Sequence, residues 1–136
     1  MPDRLSAIVG ERWVKSRPSA LAPYDADGLP GYHATPSLAV FPGTREELIA
    51  VVRELARTGT PFVPRGAGTG LSGGALADGV VLIGLNRLTR ILDVDPVNRL
   101  ARVEPGVVNA RLSRETVKYG LHYAPDPSSQ SVCTIG

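Results

Sequence analysis

The stretch Pro64-Arg65-Gly66-Ala67-Gly68-Thr69-Gly70-Leu71-Ser72-Gly73-Gly74 concentrates the binding chemistry of this chain. Five glycines fall within nine residues, Gly66 to Gly74, directly after the apolar run Pro61-Phe62-Val63. Glycine reaches positive φ and carries no Cβ, so successive backbone N–H groups can turn into one concavity and a ligand can approach the main chain closely. Such a nest suits clustered anionic oxygens, above all phosphate or pyrophosphate. Thr69 and Ser72 add hydroxyl donors, and Arg65 sets a permanent cation at the mouth. The structural alternative is an ordinary flexible glycine loop.

Gly68-Thr69-Gly70-Leu71-Ser72-Gly73 also satisfies G-x-G-x-x-G, with Asp93 about 20 residues on. A dinucleotide fingerprint of that kind must open a helix whose N-terminus carries the pyrophosphate. Here Gly73-Gly74 is soon followed by the turn Asp78-Gly79 and the apolar run Val80-Val81-Leu82-Ile83, which leaves no room for a helix. The loop joins strand to strand. A Walker A loop is excluded as well, because no Gly-Lys-Ser/Thr follows.

No catalytic constellation accompanies the loop. Asp93 and Asp95 at i and i+2 read as a polar strand end, and Ser128 and Ser129 have no convincing histidine partner. His33 and His122 are far apart, and Cys133 is the single cysteine, so an internal disulfide and a multi-cysteine zinc site are both excluded. Arg111, Arg114 and Lys118 read as the solvated face of one helix. No metal site is expected. What remains is cofactor binding, with the cofactor carrying the hard chemistry.

The elements around the loop follow from pattern. Asp3 caps a helix over Arg4 to Lys15, weakened by Gly10. Ser16 to Pro36, rich in Pro, Gly, Asp and Ala, reads as an arm without regular structure that lies across the body or covers a site. Ser37 to Phe41 is a buried strand stopped by Pro42-Gly43. Thr44-x-x-Glu47 forms a capping box for a helix bearing Leu48, Val51, Val52 and Leu55 on one face, with Gly59 at its end. Pro61 to Val63 completes a βαβ unit with a right-handed crossover, and the glycine loop leaves the carboxyl end of its second strand, where α/β proteins bind ligands. Val80–Leu85, Arg90–Asp95 and Leu100–Glu104 read as three mostly antiparallel strands, followed by a helix over Val108 to Tyr119 and a strand Leu121–Tyr123. Two α+β lobes thus meet at the loop, one ending near residue 64 and the other starting at residue 80.

Composition is that of an ordinary soluble domain: 136 residues, 43% hydrophobic and 21% charged. A net charge of +2, from 15 basic and 13 acidic residues dispersed along the chain, with 5% aromatics, argues against nucleic-acid binding. No apolar run is long enough for a transmembrane segment and no signal peptide is apparent, so a cytoplasmic location is expected.

The glycine run, followed by Pro125-Asp126-Pro127-Ser128-Ser129-Gln130 and Cys133-Thr134-Ile135-Gly136, resembles the FAD-binding domain of the vanillyl-alcohol oxidase / p-cresol methylhydroxylase (PCMH) flavoprotein family. Within it, the branch that holds the D-type subunit of glycolate oxidase and the FAD-linked D-lactate dehydrogenases is most similar. The resemblance runs from about residue 24 to residue 136. An N-terminal helix and arm are read over 1–35, and the resemblance implies a two-lobed α+β domain of the PCMH type over 36–136. Such a domain has a βαβ-containing subdomain against a mixed, mainly antiparallel one, with FAD between. It implies that Pro64, Arg65, Gly66, Ala67, Gly68, Thr69 and Gly70 hold the pyrophosphate, while Leu71, Ser72 and Gly73 continue along the cofactor. Pro125, Asp126, Ser128, Ser129, Cys133 and Thr134 would line its adenine, ribose and flavin side, with Ile135 and Gly136 beside them. Some relatives link FAD covalently through a histidine in the loop. Thr69 stands at the equivalent position here, so non-covalent FAD is expected.

Members of the family continue into a substrate domain, so the chain is expected to be the N-terminal piece of a larger oxidoreductase and inactive alone. The full enzyme would oxidise a small 2-hydroxy acid, glycolate or D-lactate, by hydride transfer to FAD. Electrons would leave to partner subunits or a quinone pool, which implies a peripheral place at the inner membrane. A UDP-N-acetylenolpyruvoylglucosamine reductase-like flavoprotein and a non-catalytic nucleotide- or phosphate-binding module are the alternatives.

Overall fold

In the computed structural model, strand β2 (Leu38–Val40) is buried on both faces, and Pro42-Gly43 stops it because proline offers no N–H to continue a ladder. Thr44 then opens helix α3 (Arg45–Arg57): its hydroxyl accepts the Glu47 N–H at 3.1 Å, while Glu47 Oε2 accepts the Gly43 N–H at 2.6 Å. This is the expected capping box, its return bond reaching one residue beyond the cap. Val51 and Leu55 are buried, and Gly59, at φ 62°, takes the left-handed position past the helix. Strand β3 (Phe62–Arg65) follows. The structure describes residues 1–29 and 31–136; Pro30, in the expected Leu29-Pro30-Gly31 turn, lies outside the described residues.

β2 and β3 do not pair with each other. The sheet order is β1-β2-β4-β3, where β1 is Val14–Lys15 and β4 is Val81–Gly84. β4 runs parallel to both neighbours, Leu82 facing Ala39 on one side and Val63 on the other, while β1 is an antiparallel edge. The assignment of residues from 80 onward to a second, antiparallel lobe is therefore corrected: β4 is a central strand of the first sheet. All four of its residues are buried, as a parallel strand covered on both faces requires.

The sheet separates two apolar clusters, and the period-two alternation of β2 divides its residues between them. Leu38 and Val40 join Leu5, Val9, Val51, Leu55, Val81 and Ile83 under the helices. Ala39 joins Leu21, Phe41, Ala77 and Leu82 on the other face.

Helix α1 (Pro2–Val9) is shorter than the Arg4–Lys15 expectation. Gly10 at φ 85° ends it, a 3₁₀ turn over 11–13 leads into β1, and Met1 rather than Asp3 holds the cap position. Trp13 meets two guanidinium groups, Arg12 at 4.5 Å and Arg87 at 3.7 Å from its ring centre. The arm also carries regular structure that composition hid: α2 (Pro18–Leu21), started by a proline at its first position, and a 3₁₀ turn over 22–24.

The second lobe holds the antiparallel hairpin of β5 (Ile91–Asp95) and β6 (Leu100–Val103) and helix α4 (Asn109–Thr116), which runs on as a 3₁₀ turn to Gly120 at φ 69°. Residues 121–123 form no ladder, contrary to the strand expectation. The pairing on that side is instead taken by residues 134–136 against 105–108, through a Val108–Thr134 bridge and two further backbone bonds. Among the described residues no helix is long and apolar enough to cross a membrane.

Candidate functional site

β3 and β4 are adjacent and parallel, so residues 66–80 must leave the carboxyl end of one and return to the start of the other. No helix makes that return. The glycine loop therefore stands at the carboxyl edge of the sheet, the usual place for a ligand in a parallel fold. Gly68 and Gly73 take φ of 72° and 75°, a region a side chain strains. The arm backs the loop from outside, with the Gly28 N–H donating to the Gly70 carbonyl at 3.1 Å.

Arg65, the last residue of β3, turns its side chain against the loop. Its Nη1 reaches the carbonyls of Tyr24 (3.3 Å) and Ala75 (3.4 Å), and a Cβ on Gly68 would overlap its guanidinium. Among the described residues its partners are carbonyls and not carboxylates, so its charge stays available to an anion.

The second polar segment is held from the other lobe by the start of α4. The Asn109 N–H donates to the Cys133 carbonyl (3.0 Å), Asn109 Nδ2 to the Pro125 carbonyl (2.9 Å) and the Ala110 N–H to the Gln130 carbonyl (2.9 Å). Asn109 is only 4% exposed. The strip 134–136 is seated on Pro105 and Val107 through the Gly136 and Ile135 N–H groups, at 2.8 and 2.9 Å. That base is braced by buried Glu104, which takes Arg90 Nε (2.9 Å), Nη2 (2.7 Å) and the Arg90 N–H (2.7 Å). These bonds, the Arg90 side chain first, hold the Glu104 carboxyl below its ordinary pKa.

The two motifs meet in a cavity of about 170 Å³ lined by Pro64 to Gly70, Gly74, Ala75, Thr134 and Gly136. Leu71, Ser72 and Gly73 line a neighbouring hollow with Asp27, Leu29 and Tyr32. Pro125, Asp126 and Ser128 are exposed outside the cavity, Ser129 and Cys133 are half-buried outside it, and Ile135 faces an apolar hollow with His122 and Tyr123. Asn109, Asp27 and Gly28 are additions that the structure makes to the site. An Asn at a helix start after an apolar pair is a cap-type signal for the first; nothing local in the sequence marks the other two.

The loop suits the pyrophosphate of a dinucleotide. The N–H groups of Gly68, Thr69 and Gly70 donate to no protein acceptor among the described residues. A Cβ on Gly70 would meet no atom within 4 Å, so that stretch of main chain is open to close approach. At about 170 Å³ the cavity matches part of a dinucleotide, since whole-ligand pockets run to roughly 300–1,000 Å³. A second hollow of about 230 Å³ shares Arg65, Gly66 and Ala67 and extends over Tyr24 and Asn86.

A family described as "FAD binding domain" matches residues 36–136. Glycolate oxidase subunit GlcD of Escherichia coli K12 is 48% identical over 118 residues, covering 85% of this chain and 23% of that protein. D-2-hydroxyglutarate dehydrogenase of Stutzerimonas stutzeri is 33% identical over 135 residues, covering 98% and 29%. The chain thus spans about a quarter of the length of these relatives. Among solved structures, an alkyldihydroxyacetonephosphate synthase superposes at a TM-score of 0.84 with 21% identity over 98% of this chain and 27% of its own. p-Cresol methylhydroxylase superposes at 0.76 with 26% identity over 88% and 24%. A glycine nest with free N–H donors, on a fold shared with p-cresol methylhydroxylase and a sequence matched to FAD binders, assigns the chain to the FAD binding domain family of PCMH-type flavoproteins, with FAD as cofactor.

Proposed function

We propose that this chain is the FAD-binding portion of a flavin-dependent oxidoreductase that oxidises a small 2-hydroxy acid of the glycolate, D-lactate or D-2-hydroxyglutarate kind. The 48% identity to a glycolate oxidase subunit carries the reading. FAD, once bound, supplies the hydride acceptor; the chain's own residues hold its pyrophosphate, with the N–H groups of Gly68 to Gly70, which meet no acceptor among the described residues, as donors and Arg65 as the cation. Arg65 is the one ionisable residue among the described residues that line this cavity, which suits a seat for pyrophosphate oxygens. Electron-accepting partner subunits, and through them a place beside the inner membrane, belong to the same reading. FAD is held non-covalently, Thr69 offering no ring nitrogen for a linkage.

The test pairs the 136-residue chain with a protein extended to the length of its relatives. The chain should quench FAD fluorescence on binding, and acid precipitation should release all flavin to the supernatant. Dye reduction by glycolate, D-lactate or D-2-hydroxyglutarate should appear in the longer protein and fall by at least about 10²-fold in the shorter. Flavin retained in the pellet overturns the non-covalent assignment. A longer protein that binds FAD and is reduced by none of the three acids overturns the substrate class.

A further inference from the structure

The two cofactor motifs, the first ending at Gly74 and the second starting at Pro125, lie 51 positions apart in the chain and meet through one side chain. Thr134 Oγ1 accepts the Ala67 N–H at 3.1 Å and donates to the Gly136 carbonyl at 2.8 Å. Its own backbone is bridged to Val108, and the next two residues are hydrogen-bonded to Val107 and Pro105, so the hydroxyl projects from a fixed strip. Facing it is Gly66, where a Cβ would overlap both Thr134 Oγ1 and the Gly136 carbonyl oxygen. The missing Cβ at Gly66 thus serves a protein–protein approach within the chain, and Ala67, between the first two loop glycines, gives its N–H to a hydroxyl instead of to an anion.

We infer that Thr134 is a positioning residue that docks the second motif on the glycine loop and sets which loop N–H groups face the pyrophosphate. With the Ala67 N–H engaged, the anion is directed to Gly68, Thr69 and Gly70, whose N–H groups meet no acceptor among the described residues. The same contact makes Thr134 and Gly136 walls of the cavity before any ligand arrives, which lowers the ordering required on binding. The inference rests on the chain's FAD site and is independent of which substrate the flavin oxidises.

Thr134→Val keeps the shape and removes the hydroxyl; Thr134→Ser keeps the hydroxyl. Amide hydrogen exchange read without FAD should be about tenfold faster at Ala67 in Thr134→Val, unchanged at Leu82 in the middle of β4, and close to wild type at both in Thr134→Ser. One net hydrogen bond corresponds to a change of this size. FAD titration should give a Kd raised about tenfold in Thr134→Val and within about threefold of wild type in Thr134→Ser. Unchanged Ala67 exchange in Thr134→Val overturns the latch, and so does an equal rise at Leu82, which marks a general loss of stability. FAD binding as tight as wild type, or tighter, in Thr134→Val overturns the positioning role. Because exchange is measured without FAD, the latch and the hydroxy-acid reading fail separately.

Discussion

A methyl group at Gly70 would project into open space, whereas one at Gly66 would collide with Thr134 and the Gly136 backbone, and one at Gly68 would strain a φ of 72° and press on Arg65. The three glycines therefore respond differently to the same substitution. Gly66→Ala should lower the melting temperature by several degrees, since overlap with fixed backbone costs roughly 1–3 kcal/mol. Gly70→Ala should melt like wild type but bind FAD about tenfold more weakly, because its Cβ intrudes only where the cofactor approaches. Thermal denaturation without FAD, beside a flavin titration, separates the two; equal melting losses, or wild-type FAD affinity in Gly70→Ala, would refute the division. The nest is legible in the sequence because glycine spacing is local. The duties within it are not: Thr134 lies 68 positions from Gly66, and Arg65 turns inward to carbonyls that the arm and the loop supply.

The elements divide along the same line. The capping box of α3 lies within five residues, so Thr44, Glu47 and Gly59 are legible from spacing alone. The place of β4 is not, because a short apolar run fits the centre of a parallel sheet as well as a new lobe. α4 shows the same limit at its start, where Asn109 grips residues 16 and 24 positions onward. Asn109→Ala removes the bond to Pro125 while leaving the backbone donor to Cys133. It should cost about 1–2 kcal/mol, a net hydrogen bond plus lost packing, and should quicken proteolysis within 125–133 ahead of the sheet. Cleavage there at the wild-type rate would show that the segment holds itself.

At the scale of the molecule, two carboxylates tie distant parts together and make stability depend on acid. Glu54 of α3 pairs with Arg57 and with Arg4 of α1, and these hydrogen bonds, Arg57 foremost, lower its pKa to about 2 from an ordinary 4.5. Glu104 is lowered in the same direction by Arg90. A depressed folded-state pKa means that the unfolded chain takes up protons first. The stabilisation is complete above the ordinary carboxylate value and is lost as pH falls from about 4.5 toward about 2. Glu54→Gln combined with Glu104→Gln should flatten the decline of melting temperature across that window and leave its shape near neutrality unchanged; an unaltered acid slope contradicts the assignment.

The insertion of β4 between β2 and β3 also fixes a chronology. A ribosome delivers β2, α3 and β3 before the strand that joins them exists, and at about 5–20 residues per second the span from Gly66 to Gly84 takes roughly 1–4 s to emerge. Throughout that interval β2 and β3 present unpaired inner edges, the kind of surface that recruits foreign strands. The glycine run is made during the wait, and the strand that anchors its far end is in place only when β4 enters the gap. Closure of the first sheet therefore precedes completion of the cofactor loop in the life of a nascent chain, because Thr134, which takes the Ala67 N–H, is made 50 positions after Gly84, and a delay in translation just past Gly74 prolongs the exposure of the two strand edges.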